Sequence, residues 1–223
     1  MPTPEVILNQ VNRLTADLIR VSLCDKHQFP LIKRFPGGIA EVTFPNSGNL
    51  SIVLKNIPYK ILYEELVKAK DYNFMLADGA LIQMMYTFDK DGVRKHRLAF
   101  FPSPDLETFQ NDPEIYLTDV LYAEVVAKNI VPFPIRFDYD KDELAVKLIH
   151  HPYSHLTLGQ YKNCRIPVTS PLTPHMFIGF VLRSFYNSAY KDYAPGLTDF
   201  KDSFPECIAS KERDIIHIKS PSW

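Results

Sequence analysis

Apolar residues recur at helical spacing in three segments of the chain, and each segment begins with residues that favour a helix start. Thr3 can cap the first helix and Thr173 the third, and each is followed by a proline, which suits the first helical position. The second helix begins at Pro58. The apolar faces comprise Ile7, Val11, Leu14, Leu18 and Val21, then Tyr59, Leu62, Tyr63 and Leu66, and finally Phe177, Ile178, Val181, Leu182 and Phe185.

Other segments alternate between apolar and polar residues, or are rich in β-branched residues, and are bounded by turn residues, as is typical of strands. We predict a hairpin from 39–44 and 50–54, a strand at 72–76, a hairpin from 81–88 and 94–101, and a last strand at 214–218. Periodicity leaves residues 118–128 open between helix and strand, and we favour helix there.

The segment between Pro134 and Pro167 predicts three or four strands joined by tight turns. Successive strand residues point to opposite faces, so Arg136 and Asp138 share the face opposite to their apolar neighbours. We expect a returning strand after the turn at 140–143, with Val146 and Leu148 on one side and Lys147, Ile149 and His151 on the other. The next strand places His155 and Thr157 opposite to Leu156 and Leu158, so we expect the polar side chains to converge on one surface.

Length and composition favour one α+β domain over residues 1–223, with a largely antiparallel sheet of hairpins and meanders and about three helices packed on it. The formal charge of -1 gives no bulk field for nucleic acid or a membrane. No apolar stretch is long enough to cross a bilayer, and the N-terminus lacks the pattern of a secretory signal. Three widely spaced cysteines fit a reducing compartment, so we expect a cytoplasmic protein.

The predicted polar surface carries the side chains of acid–base and phosphate chemistry. His155 or His151 can act as general acid or base, with Thr157 beside them and Asp138 as orienter, while Arg136 and Arg165 can hold a phosphate. The alternative is that a half-exposed sheet simply has polar residues on its wet side. His27, His96 and His175 are most simply surface or capping histidines.

Two other kinds of site remain open. Both histidines, with Asp138, offer a ligand set for zinc or manganese, although the strand and loop spacing lacks helical pre-arrangement, and we assign no metal. Cys164 would be a nucleophile if His151 or His155 approached it, although a buried inert thiol is the commoner situation. No motif identifies a cofactor.

His155, Leu156 and Thr157 resemble the His-x-Thr signature of the two-histidine phosphoesterases, in which two such motifs embrace a phosphate. A second copy is missing, since the nearest candidate at residues 217–219 has Lys219 in place of the hydroxyl residue. The resemblance is confined to a handful of residues, and it marks His155 and Thr157 as candidates.

A wider resemblance runs from residue 135 to 186. The runs at 135–138, 151–159, 163–167 and 171–174, with the Phe-rich segment ending at Tyr186, resemble a bacterial family of unknown function, numbered 2290. The likeness extends over the whole chain. By analogy with families found among mobile and phage-defence genes, it implies a toxin, a nuclease-like phosphodiesterase acting on nucleic acid or nucleotide, or a non-catalytic, protein-binding subunit of a defence or toxin–antitoxin complex. A nucleic-acid binder without catalysis is a third alternative.

Overall fold

The computed structural model describes residues 1–45, 47, 57–104, 132–161 and 163–221. Within these residues the chain forms five α-helices, of which the three longest are the predicted ones and the other two are short. None of the helices in this part of the chain is long and apolar enough to span a bilayer. The helices are α1 (Pro4–Arg20), α2 (Tyr59–Ala69), α3 (Pro174–Phe185), α4 (Asn187–Tyr193) and α5 (Ser210–Arg213).

The strands of the described residues form one antiparallel sheet, as predicted for an α+β fold. They are β1 (Cys24–His27), β2 (Leu31–Phe35), β3 (Ile39–Thr43), β4 (Phe74–Leu76), β5 (Leu81–Asp89), β6 (Gly92–Phe101), β7 (Ile135–Asp140), β8 (Ser154–Leu158) and β9 (Ile166–Pro167). The main order is β1-β4-β5-β6-β7-β8-β9, and β3 pairs with both β2 and β5.

One face of the sheet packs against α1 and α3 and forms the main core. The N-terminal caps work as predicted, because Thr3 and Thr173 each accept a hydrogen bond from the backbone amide three residues later. Burying the apolar stripes of these helices is worth about 25 cal/mol per Å² of surface removed from water. Phe137 of β7 and Phe177 of α3 meet edge to face in this layer, with ring centroids 6.2 Å apart.

The opposite face of the sheet is divided between an apolar part and a polar part. Helix α2 covers the apolar part with Leu62 and Leu66, which belong to one buried cluster with Leu81 and Phe101. The polar part lies on β6, β7 and β8, toward the other edge of the sheet. The polar side chains of the candidate site therefore lie on strands of the sheet rather than on a loop.

Several predictions for individual elements are wrong. No returning strand forms over residues 144–151, because both sides of β7 are already paired, with β6 and with β8. The predicted last strand reduces to a single bridge between Ile218 and Val168. His96 is neither a surface nor a capping residue but lies in the core. The predictions for residues 50–54 and 118–128 lie outside the described residues. The strands β1 and β2 were not predicted.

Candidate functional site

Five polar side chains share one face of β6, β7 and β8, as the strand alternation predicts for four of them. Asp138 lies between Arg97 on one neighbouring strand and His155 on the other. In the adjacent row, Arg136 lies directly opposite Thr157. We call these five side chains the arginine–histidine face. Arg97 was missed because its place is fixed only by the register between β6 and β7.

The arginine–histidine face is largely withdrawn from water. Arg136 is 8% exposed, His155 4% and Thr157 5%. A sheet surface that is merely solvated leaves its long charged side chains in water, because burying charge is costly. Burial therefore contradicts the interpretation of this surface as a wet face, although the cross-strand ion pair of Arg97 with Asp138 is one that an ordinary sheet surface also forms.

Asp138 is the acidic residue of the arginine–histidine face, and two guanidinium groups compensate its charge. Its Oδ1 accepts a hydrogen bond from Arg97 Nε at 2.8 Å, and its Oδ2 lies 3.9 Å from Arg136 Nε. Burial opposes ionisation of the carboxyl, but the nearby charges of Arg97 and Arg136 outweigh it and hold the pKa of Asp138 below its ordinary value. Asp138 is therefore ionised at neutral pH, and it holds two arginines in place.

The two arginines nevertheless keep donors without acceptors. Arg136 Nε and Nη1 and Arg97 Nη1 are buried, and no hydrogen-bond partner for them exists among the described residues. Leaving a buried donor unsatisfied costs about 1–3 kcal/mol, and more for a charged group. Such groups are rare in native structures, and a bound anion would supply the missing acceptors.

His155 is held in one tautomer by the backbone. Its Nδ1 lies 2.9 Å from the carbonyl oxygen of Pro152. Because a carbonyl can only accept, Nδ1 carries the proton and Nε2 of the neutral ring carries a lone pair. Burial lowers the pKa of His155 to about 4, although the charge of Asp138 opposes this effect. The imidazole is neutral at pH 7, and Pro152 orients it, whereas Asp138 was expected to do so.

His151 reaches the same region from a tight turn that we call the histidine turn, residues 147–151. The rings of His151 and His155 are 4.9 Å apart between centroids. The amide of Lys147 donates to the carbonyl of His151 at 3.0 Å, and the amide of His151 donates back at 2.6 Å. Burial and the charge of Arg165 lower the pKa of His151.

The histidine turn contains a strained residue at its tip. Ile149 has a φ of 70°, a left-handed conformation that is a genuine outlier for a β-branched side chain. The carboxylate of Glu212 in α5 holds this conformation, since its Oε1 accepts from the Ile149 amide at 3.2 Å and its Oε2 from the Ala209 amide at 3.0 Å. Nothing in the sequence links Glu212 to Ile149, which lies 63 residues earlier.

A cleft of about 480 Å³ opens beside the histidine turn. Among the residues that the structure describes, cationic or neutral side chains line it and none is a carboxylate: Ala145, Lys147, Ile149, His150, His151, Asn163 and Arg165. The predicted phosphate ligand Arg165 thus lies at the cleft, and its charge acts on His151, His155 and Arg136. A lining of this sign suits an anionic ligand.

The metal and cysteine alternatives find less support. In the described part of the chain no three histidine, cysteine or carboxylate side chains are grouped so that they could hold an ion, and this applies to His151, His155 and Asp138. Cys164 is half-buried and does not line the cleft, although Asn163 and Arg165 on either side of it do. The arrangement is better suited to binding an anion and moving a proton.

Residues 23–220 match a family described as "Uncharacterized conserved protein (DUF2290)". The chain belongs to this family. The match confirms the resemblance found in the sequence, and it includes every residue of the arginine–histidine face and the cleft. Searches of curated proteins and of solved structures each returned no match. The function of this family member must therefore be argued from its site.

Proposed function

We propose that this protein binds a phosphate ester of a nucleotide or nucleic acid at the arginine–histidine face and cleft, and cleaves it by proton transfer through histidine. The observation that carries the proposal is the set of buried guanidinium donors on Arg97 and Arg136 that lack acceptors. Guanidinium groups match the geometry of phosphate oxygens and bind them with charge-assisted hydrogen bonds.

The charges of the face support an anionic ligand. Arg97 and Arg136 carry two positive charges and Asp138 carries one negative charge, so one positive charge stays uncompensated within this group. Arg165 and Lys147 at the cleft add to the positive potential. A phosphodiester or phosphomonoester would offset this excess and bring acceptors to the unsatisfied donors.

The two histidines supply the proton transfers of the proposed cleavage. His155 Nε2 takes the proton of the attacking hydroxyl or water as the new P–O bond forms, and His151 in its protonated form donates to the leaving oxygen as the old bond breaks. A pKa of about 4 makes His155 a weak base before the ligand binds. A bound phosphate anion raises the pKa of both rings, because a nearby negative charge favours the imidazolium.

Calorimetric titration with inorganic phosphate and a mononucleotide tests the binding step. Arg136→Gln should weaken binding about tenfold or more, since a hydrogen bond to a charged group is worth about 1.5–3 kcal/mol. Its melting temperature should stay unchanged or rise, because a half-satisfied buried charge is removed. The control is Arg34→Gln, an exposed arginine on β2 that pairs with Glu5. Equal affinities for both variants would remove the proposal.

The catalytic step is tested with a chromogenic phosphodiester and a labelled oligonucleotide as substrates. His155→Gln should abolish cleavage while retaining phosphate binding, and His27→Gln, an exposed histidine on β1, should leave cleavage intact. Cleavage that survives in His155→Gln contradicts the acid–base role. Phosphate binding without cleavage in the wild type would leave the third alternative, a binder without catalysis.

The biological setting implied by the family resemblance belongs to the same proposal. It comprises a bacterial origin and a role among mobile-element or phage-defence genes, and the cysteine usage adds a cytoplasmic location. Phage challenge of cells that express the wild type or His155→Gln tests this part. We expect protection or toxicity from the wild type alone, and identical behaviour of the two strains would count against it.

A second candidate function is a non-catalytic, protein-binding subunit, which exposed apolar side chains favour. Leu144 before the histidine turn is 94% exposed and Ile216 after α5 is 89% exposed. The hydrogen bond from the Ile149 amide to Glu212 joins the two segments that carry these side chains, and exposed apolar groups of such a region can anchor a partner protein. Purification from the native host tests this function: Leu144→Ser with Ile216→Ser should lose a stoichiometric partner that His155→Gln retains.

A further inference from the structure

We infer that the ligand of the proposed phosphate site is a single strand of nucleic acid, whose bases stack on Tyr161 and Phe133. This inference rests on the proposed function and specifies its substrate class. It draws on a different part of the structure, the loop that follows β8.

Two exposed aromatic side chains lie beside the same glycine of this loop. Tyr161 is 75% exposed and Phe133 is 44% exposed. Both adjoin Gly159: a Cβ at that position would lie 3.4 Å from Tyr161 Cδ2 and 3.7 Å from Phe133 Cβ. Single exposed aromatic residues are common on protein surfaces, but two beside one glycine, in a segment that continues into the lining of a cationic cleft, can serve as a platform for stacking.

The backbone fixes the platform to the end of the strands that carry the site. The Gly159 amide donates to the carbonyl of Pro134 at 2.7 Å, which extends the pairing of β7 and β8 by one step. Gly159 has a φ of 61°, so the chain turns there in a conformation that glycine adopts without strain. The carbonyl of Tyr161 then accepts from the Cys164 amide at 3.3 Å, which closes the turn.

The platform and the cleft belong to the same stretch of chain. Asn163 and Arg165, which line the cleft, follow Tyr161 within four residues. In the other direction, His155 lies four residues before Gly159, or about 13 Å along an extended strand. A ligand that contacts both the histidine and the aromatic platform must span that distance, which favours an oligonucleotide over a mononucleotide.

The aromatic platform and the cationic cleft together favour a single strand over a duplex. In a duplex the base faces are stacked on one another, and the protein meets mainly phosphate and groove edges. In a single strand the π-faces are free to stack on aromatic rings while the phosphates track a cationic groove. The platform supplies the rings, and Lys147 and Arg165 supply the cations.

Fluorescence anisotropy with labelled strands tests the inference on the intact protein. Single-stranded DNA and RNA of about 2, 6 and 12 nucleotides are compared with a duplex of the same sequence and with inorganic phosphate as competitor. We expect affinity to rise with length, and the single strand to bind about tenfold more tightly than the duplex. Either kind of single strand supports the inference, and comparison of the two shows which is preferred.

Variants of the platform isolate the stacking contribution. Tyr161→Leu keeps apolar bulk but loses the π-face and should weaken single-strand binding about tenfold. Tyr161→Phe keeps the ring and should bind like the wild type, as should Phe29→Ala, which removes an exposed aromatic side chain elsewhere. None of these variants should change the affinity for inorganic phosphate.

The possible failures are distinguishable. If Tyr161→Leu binds single strands as well as the wild type does, or if the duplex binds equally tightly, the inference is overturned while phosphate binding still supports the proposed function. If the wild type binds neither inorganic phosphate nor any strand, the proposed function itself fails and the inference fails with it.

Discussion

Substituting Asp138 with asparagine should have opposite effects on the stability of the free protein and on its affinity for phosphate. In the wild type, the carboxylate accepts from Arg97 Nε at 2.8 Å and compensates Arg136 at 3.9 Å. Asparagine keeps the size of the side chain but removes the charge. Two largely buried guanidinium groups would then repel each other without a counter-charge.

The magnitude follows from these contacts. Breaking a buried pair by removing one partner costs about 3–5 kcal/mol, because the remaining charge is left uncompensated. Asp138 is partly accessible, with 17% of its side-chain surface exposed, so solvent screens part of the loss and we expect about 3 kcal/mol. The same positive charge attracts an anion, so phosphate should bind more tightly to Asp138→Asn than to the wild type.

Urea denaturation with and without phosphate is the assay. Without phosphate, Asp138→Asn should unfold at lower urea with an unchanged slope. At one phosphate concentration, about 100 times the dissociation constant of Asp138→Asn, the variant should regain about 2.7 kcal/mol, nearly the whole loss, and the wild type, which binds more weakly, should gain less. A variant that is destabilised but gains no more from phosphate than the wild type would refute the assignment of this face as an anion site.

Three further predictions concern residues around the site and in the core. Burial lowers the pKa of His96 to about 4. As pH falls below about 6.5, the unfolded residue takes up a proton that the folded residue does not, so the free energy of unfolding should fall by about 2 kcal/mol between pH 8 and pH 5. Denaturation of the wild type and His96→Phe at both pH values checks this, and identical pH dependence would contradict it. Ile149→Gly should raise the free energy of unfolding by about 1 kcal/mol, since glycine adopts a positive φ freely. Thermal denaturation measures this change, with Ile7→Val as a control in the core. A loss of stability in Ile149→Gly would show that Ile149 is not strained. Burial raises the pKa of Cys24 to about 11 and of Cys207 to about 12, so both thiols should resist alkylation at pH 8 until the protein unfolds. Mass spectrometry measures the extent of alkylation. Rapid labelling of either thiol in the folded protein would contradict their burial.

Strand alternation made much of the arginine–histidine face predictable from sequence. The period of two fixes that Arg136 and Asp138 share a side, and the same rule applies to His155 and Thr157. Whether two strands pair in the register that joins these sets is a tertiary matter, and here the structure aligns them. The caps at Thr3 and Thr173 were also predictable, because capping depends on neighbours within three residues.

The remaining features depend on contacts that local patterns do not encode. Val146 and Leu148 alternate with their neighbours as residues of a strand do. No strand forms there, because β7 already pairs with β6 on one side and with β8 on the other. Burial of the polar face could not be inferred from alternation, which looks the same for a wet surface and for a covered one. The contact of Glu212 with the histidine turn joins segments far apart in the chain, so its role emerges only from the fold.

In the proposed complex a phosphate accepts hydrogen bonds from the guanidinium donors of Arg136 and Arg97. Nitrogen-15 NMR of the arginine side chains during phosphate titration observes these groups directly. We expect the Nε–H signal of Arg136 to shift saturably and to become protected from exchange with water, while that of exposed Arg34 stays in place. If the Arg136 signal does not move at phosphate concentrations that saturate any binding measured by calorimetry, the anion lies elsewhere and the arginine–histidine face is not its site.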